Sequence, residues 1–305
     1  MIVERMAAEI GVPVNFVQSL ARTASHEYKV YEIPKRGGSG TRTIHHPSKR
    51  LKAFQRWLLT HVIEKLPVHP AAAAYQKNRS IFDNARIHEN SRYLLRMDFK
   101  DFFPSISQVD LARYISDRAA LFAAWTPNDI DVFCKLVCRK AVLTIGAPTS
   151  PALSNAICYD LDVDLRALSE KKQVRYSRYA DDLFFSTSQP NVLSEVQQGV
   201  SDVISTVKFP SSLKINSSKT RYSSKRGARR VTGIVLGSDG RAHVGRDFKR
   251  KVRSLVHKYD SLGPKEQASL AGMIAYVTGF EPQFANTLIN KYGLPRFREA
   301  FGQTD

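Results

Sequence analysis

The chain has 305 residues, a formal charge of +18, a pI near 9.9 and 43% hydrophobic residues. That length holds two or three packed units, and the hydrophobic share is ordinary for a globular protein, which sets aside a disordered tail. The basic excess points to an anionic partner, nucleic acid first, and no run of about 18 apolar residues offers a membrane span. Cys134, Cys138 and Cys158 supply neither a disulfide framework nor a zinc set. They read as buried small residues in a reducing compartment. The N-terminus shows no basic region followed by an apolar run, so no signal peptide is expected.

In chain order, residues 1–28 are expected to be mostly helical, broken at Gly11 and Pro13. Residues 30–34 and 41–44 read as a hairpin with Gly37-Gly38-Ser39-Gly40 at its tip. Between Lys29 and Arg56 stand eight Lys or Arg and one acid, Glu32. Lys35 and Arg42 flank the tip, where they could close on a triphosphate, although the glycine-rich tip is equally an ordinary turn. Residues 51–66 predict an amphipathic helix, 75–80 a polar basic loop, and 82–88 a short helix or turn. His88 reads on its own as a structural hydrogen-bonding residue.

Residues 93–97 form a short apolar run that delivers Asp98, followed by a turn into a helix. An acid closing an apolar strand is costly unless it is paired or metal-bound. Residues 107–145 predict helices with a loop around Trp125-Thr126-Pro127-Asn128. Gly146-Ala147-Pro148-Thr149 opens another helix, with Ser150 as N-cap, Pro151 first, and Leu153, Ile157, Leu161 and Leu165 at spacing of four.

Aromatic and apolar residues then run into Asp181-Asp182, and a second apolar run leaves it. This predicts a β-hairpin over 176–186 with the acidic pair at its tight turn, a seat for a hard divalent cation. Most Asp-Asp pairs sit in solvated turns, so the pair takes its meaning from its company. Residues 190–207 predict a helix, 213–220 a strand and turn, and 230–237 one further strand. The turn at 237–240 is the best candidate boundary. Residues 246–258 form a basic amphipathic helix carrying Arg246, Lys249, Arg250 and Arg253, and further helices are expected over 268–278 and 282–291.

Tyr179-Ala180-Asp181-Asp182, Asp98 in Asp-Phe-Lys-Asp-Phe-Phe-Pro-Ser-Ile, and Gly146-Ala147-Pro148-Thr149-Ser150-Pro151 with Ser154-Asn155 stand in one order. In these motifs, from about Tyr31 to about Tyr292, the chain resembles the reverse transcriptases. Asn84-Ala85-Arg86-Ile87-His88 and Val231-Thr232-Gly233 resemble the signatures of the retron branch.

The resemblance implies an α+β fold with right-hand polymerase architecture. Fingers would occupy 1–92 with the N-terminal helices. A palm of antiparallel sheet packed on helices would occupy 93–238, with fingers-palm elements in 107–150, and a small helical thumb 239–305. It implies two Mg2+ ions, with Mn2+ able to substitute, held by Asp98, Asp181, Asp182 and the Phe99 carbonyl. It gives Lys219 the role of protonating pyrophosphate, Lys35 and Arg42 the triphosphate, Phe103 the steric gate, and Asn155 the incoming nucleotide. Pro148, Asn84, His88, Val231, Thr232, Gly233 and the basic helix would contact template or RNA. Ile145 departs from the family's usual Gln before Gly146, which removes a side-chain hydrogen bond there.

The implied partners are dNTPs, a cognate structured non-coding RNA and its covalently linked single-stranded DNA product, primed from a guanosine 2′-OH. A bacterial cytoplasmic location and a part in anti-phage defence come with the resemblance. The chain's length leaves no room for an added nuclease, so an effector is expected to be a separate polypeptide. Group II intron-like or diversity-generating reverse transcriptases remain alternatives, as does a nucleic-acid-bound scaffold controlling a partner.

Overall fold

The computed structural model describes residues 1–35 and 40–302; the expected tip at Gly37-Gly38-Ser39 lies outside them. In chain order the elements are α1 (Ile2–Ile10), α2 (Val14–Thr23), β1 (Tyr28–Pro34), β2 (Thr41–Pro47), α3 (Lys49–His61) and α4 (Ile81–Arg86). They continue with β3 (Tyr93–Asp98), α5 (Gln108–Asp117), α6 (Pro127–Val137), α7 (Ser150–Ile157), α8 (Tyr159–Lys171), β4 (Arg175–Tyr179), β5 (Asp182–Thr187) and α9 (Val192–Thr206). The remainder comprises β6 (Arg221–Ser224), β7 (Arg229–Val231), β8 (Ile234–Leu236), β9 (Ala242–His243), α10 (Arg246–His257), α11 (Pro264–Phe280), α12 (Gln283–Tyr292) and α13 (Leu294–Phe301). The fold is therefore α+β, with the strand order β4-β5-β3-β6 in its four-stranded sheet.

Two compact units divide the chain. One comprises 1–78, 95–185 and 191–221; the other comprises 79–94, 186–190 and 222–305. The turn at 237–240 lies inside the second. In the first unit, β1 and β2 pair antiparallel from Tyr28 opposite Pro47 to Pro34 opposite Thr41. α5 and α6 begin with reciprocal capping boxes, Ser107 with Asp110 and Thr126 with Asp129. Each cap hydroxyl accepts from the orphaned N–H of the acid in the first turn, and each acid accepts in return from the N–H of its cap residue, a contribution of about 1 kcal/mol. The same acids tether distant chain: Asp129 accepts from the Val3 N–H at 3.0 Å and Asp110 from the Ser211 N–H at 3.1 Å. In the second unit, β7, β8 and β9 form a small antiparallel sheet, and Phe82 of α4 stacks on Phe280 of α11 with ring centroids 3.5 Å apart.

Four local expectations shift. The helix expected from Ser150 onward breaks at Cys158 into α7 and α8, with all four spaced apolar residues still buried. Thr149, not Ser150, is its N-cap; the Ser150 hydroxyl instead accepts from the Thr144 N–H at 3.3 Å. Residues 213–220 make only an isolated antiparallel bridge, Ile215 to Phe99, and a short 3-10 turn. The single strand expected over 230–237 is the hairpin β7–β8, because Thr232 and Gly233 both take positive φ, 49° and 89°. Mirror-type turns of this kind match the twist of paired strands.

Candidate active site

Asp98 reaches the site because β3 is apolar up to its last residue: Leu94, Leu95 and Met97 are buried, and Asp98 is only 3% exposed. The β4–β5 hairpin delivers the acidic pair beside it, with Ala180 at φ 56° turning the chain. Backbone bonds lock the two tips together. The Phe99 N–H donates to the Asp181 carbonyl at 3.0 Å, the Asn216 N–H to the Asp98 carbonyl at 2.7 Å, and the Lys100 N–H to the Lys214 carbonyl at 2.8 Å. Phe99 itself is buried against Phe102.

Electrostatics mark the spot. Burial pushes the Asp181 carboxyl above the usual range, and the nearby Asp98 adds to the rise. Burial likewise pushes Asp182 up to about 6, with Asp181 and Asp98 adding to it, while Arg96 acts in the opposite sense. Two cations answer the crowd: Lys219 Nζ lies 2.8 Å from Asp98 Oδ1, and Arg96 lies 2.9 Å from Asp182 Oδ1. Among the described residues no group of three or more His, Cys, Asp or Glu side chains is gathered tightly enough to hold a metal. The donor chemistry nonetheless fits a hard divalent cation: oxygen ligands only, crowded so that ionisation is opposed, with Asp181 in no side-chain ion pair among the described residues.

A cleft of about 810 Å³ is lined by Asp181 and Lys219 together with Lys35, Arg42, Phe103 and Ile145; Asp98 and Asp182 lie beside it and are not among its lining residues. Its back wall is tight. The His45 N–H of β2 donates to the Ile145 carbonyl at 2.8 Å, and the His45 ring bonds the Thr144 hydroxyl. Gly146 has φ 112°, and a Cβ there would sit 2.5 Å from the His45 carbonyl oxygen, so only glycine fits. Pro148 is half-buried and does not line the cleft.

Behind the hairpin lies a buried polar network that the sequence did not disclose. Arg178 and Asp162 are both fully buried, joined through Nε to Oδ1 at 2.8 Å and Nη2 to Oδ2 at 2.6 Å. The Tyr176 hydroxyl also donates to Asp162, and Arg178 Nη1 donates to the Ala180 carbonyl at 3.3 Å. Arg178 thus braces the turn that carries Asp181. The expected role of Asn155 as a nucleotide contact gives way here: it is 1% exposed, donates to the Ala74 carbonyl at 2.7 Å and accepts from Arg178 at 3.1 Å. Its side chain is engaged inside the fold. Tyr75, half exposed at φ 61°, lines the cleft and was also missed.

In the second unit the expected RNA contacts sort into two kinds. Asn84, His88 and Val231 are completely buried, so their side chains are not open to RNA, and that expectation is corrected. His88 Nδ1 meets the Ser186 hydroxyl at 2.7 Å, which reaches the Ser91 hydroxyl at 2.9 Å, in keeping with a structural histidine. Arg229 continues the chain to the Ser91 carbonyl, and Thr232 donates to the Ile81 carbonyl at 3.3 Å. The 84–88 segment therefore supports the β7–β8 hairpin from within, leaving Gly233 exposed at the turn. On α10, Arg246 and Arg250 are exposed, whereas Lys249 pairs with the buried Glu281 at 2.5 Å and Arg253 lies 5.1 Å above the Phe284 ring. The three cysteines are buried, and burial pushes the Cys134 and Cys158 thiols up to about 12, as expected of inert packing residues.

Residues 33–247 match the family model described as "Reverse transcriptase (RNA-dependent DNA polymerase)". The chain is 36% identical over 280 residues to the retron Ec83 reverse transcriptase of Escherichia coli, covering 90% of this chain and 89% of that protein. It is 34% identical over 311 residues to the retron Mx162 reverse transcriptase of Myxococcus xanthus, covering 92% of this chain but 64% of that protein. Among solved structures, Candida albicans telomerase with a fragment of telomeric RNA aligns with a TM-score of 0.53 at 11% identity, covering 94% of this chain and 63% of that one. That last likeness concerns the fold alone.

Proposed function

The chain belongs to the reverse transcriptases, within their retron branch, and from that membership we propose that it copies a cognate structured non-coding RNA into covalently attached single-stranded DNA. It is an RNA-directed DNA polymerase, so an RNA template and nucleotides are its partners. The observation that best supports the site assignment is the backbone bond from Phe99, the residue after Asp98, to Asp181, both lining a cleft that carries Lys35, Arg42 and Lys219.

In the proposal, divalent ions, Mg2+ or in its place Mn2+, bound by Asp98, Asp181, Asp182 and the Phe99 carbonyl supply Lewis acidity toward the attacking 3′-hydroxyl and charge compensation at the leaving pyrophosphate. Lys35 and Arg42 hold the triphosphate oxygens by charge-assisted hydrogen bonds. The Phe103 ring occupies the space a ribose 2′-OH would need, which selects dNTPs. Lys219, whose ammonium lies 2.8 Å from Asp98 Oδ1, gives a proton to departing pyrophosphate. Arg178 and Asp162 hold the turn still while this happens.

Priming from a guanosine 2′-OH, a role in anti-phage defence and a separate effector protein are parts of the same proposal, supported by the retron membership. Among the described residues no helix is long and apolar enough to cross a membrane. Asp181→Asn with Asp182→Asn tests the site. DNA synthesis should fall by at least about 10³-fold, since metal charge stabilisation is worth several kcal/mol, while RNA binding persists. Synthesis at the wild-type rate would overturn the assignment.

A further inference from the structure

The second unit contains a pocket of about 620 Å³ lined by Asn90, Arg92, Tyr93, Ser188, Ser224, Lys225 and Arg226. Three of its lining residues are cations and none is an acid. Arg92, Lys225 and Arg226 are exposed, and none of them is in an ion pair among the described residues.

The walls that present these cations are fixed by backbone bonds. The Lys225 N–H donates to the Arg92 carbonyl and the Arg92 N–H to the Thr187 carbonyl, both at 3.0 Å; the Gly227 N–H closes the turn on the Ser224 carbonyl at 2.9 Å. Three like charges are thus held around one hollow by the fold, at a repulsive cost that an anion would relieve. The hollow is larger than a lone phosphate needs, and no buried charged side chain grips its centre. Its single aromatic, Tyr93, is half-buried, so it offers no stack for successive bases. Long cations with hydroxyl and amide donors around them suit a repeated, evenly charged chain.

We infer that the pocket of Arg92, Lys225 and Arg226 binds the sugar-phosphate backbone of nucleic acid without regard to base sequence. The inference rests on the polymerase reading, which puts an RNA template and a DNA product within reach of the protein. An acidic protein surface would satisfy the same charges and is an outcome of the test.

The test is the salt dependence of binding, from about 50 to about 200 mM, for single-stranded RNA, single-stranded DNA of the same sequence and an RNA duplex, each about 20 nucleotides long. Each phosphate contact contributes about 0.7 to the slope of log affinity against log salt on single strands, so Arg92→Ala/Lys225→Ala/Arg226→Ala should lower it by about 2. The loss should be the same for different base compositions. Arg92→Lys with Arg226→Lys should keep the slope. A control lacking the exposed Arg22, Lys171 and Lys265 should change it less. The single variants, each lowering the slope by about 0.7, keep the result readable if the triple variant folds poorly.

A change on RNA alone would assign the pocket to the template, a change on DNA alone to the product, and a change on all probes to both. An unchanged slope, or one lowered equally by the control, would overturn the inference and leave an acidic protein as the occupant. Wild-type protein with no salt-linked binding to any probe would overturn the polymerase reading along with it.

Discussion

Among the described residues two arginines are fully buried, one in each unit, and they are held in opposite ways. Arg178 faces the Asp162 carboxylate in a two-point pair, joined by the Tyr176 hydroxyl and Asn155. Burial alone would lower its pKa, but Asp162 holds the guanidinium above its usual range. Arg229 has no carboxylate. It donates to the carbonyls of Ser91, Leu236 at 3.2 Å and Gly237 at 2.8 Å, its Nε finds no partner, and burial lowers its pKa. The first arrangement cancels a charge behind the turn that carries Asp181 and Asp182. The second leaves a positive charge inside a unit whose exposed face is already basic. A buried arginine is therefore a neutral brace in one place and a source of positive potential in the other.

The contrast can be broken experimentally. Asp162→Ala strands Arg178 without its counter-charge and should cost about 3–5 kcal/mol in urea unfolding. Replacing both partners, Asp162→Leu with Arg178→Met, should recover most of that stability yet leave DNA synthesis impaired, because the Ala180 carbonyl has lost its donor. Recovery of both would reduce the pair to packing.

A second measurement concerns the carboxylates that the neutral brace serves. The folded state raises the Asp182 pKa from 3.8 to about 6, so its ionisation is opposed by the fold. Stability from this group is intact below the unfolded value and is lost as pH rises through the folded one, a swing on the order of 3 kcal/mol. Thermal melts in chelator should fall between about pH 4 and 6 from this group, and Mg2+ should raise the melting temperature above pH 6 but not below 4. Equal Mg2+ stabilisation at both ends would remove the carboxylates as the cause.

Arg229→Met takes away a buried charge together with three hydrogen bonds. Its cost should be about 2 kcal/mol, below that of Asp162→Ala. The reverse ranking, read from the same unfolding curves, would erase the distinction between the arginines. The smallest effect is expected at Arg96, whose side chain is 45% exposed in its pair with Asp182. Arg96→Ala should change stability by less than about 1 kcal/mol while moving the Asp182 titration further upward, which carbon-detected NMR would follow.

These same residues show what a sequence discloses. The acidic hairpin, the strand ending at Asp98 and the helices on either side of Trp125 were legible because each is local: an apolar run, a turn residue, a capping residue. Asp162 was not. It stands in α8 between Asp160 and Asp164 and reads as one more solvent-facing acid; only the approach of Arg178 from β4 makes it a core residue. Thr232 hid a hairpin inside an apparent single strand because a non-glycine at positive φ leaves no mark in hydrophobic alternation. Asn84 and His88 were legible as a motif but not as an interior one, since burial depends on α4 meeting β7 and β8.

One small contact reaches further than its size. β4 is the outer strand in the order β4-β5-β3-β6 and would present unpaired backbone along one side. The Arg178 N–H donates to the Ala71 carbonyl at 2.8 Å and the Ala73 N–H to the Arg178 carbonyl at 2.7 Å, a parallel bridge made by a stretch of four buried alanines. The side chains are small enough for two backbones to meet closely. The effect is quality control: the rim of the acidic hairpin is sealed by the molecule's own chain, and that stretch of it is closed to strand addition by a second molecule and to the self-assembly that such an edge invites.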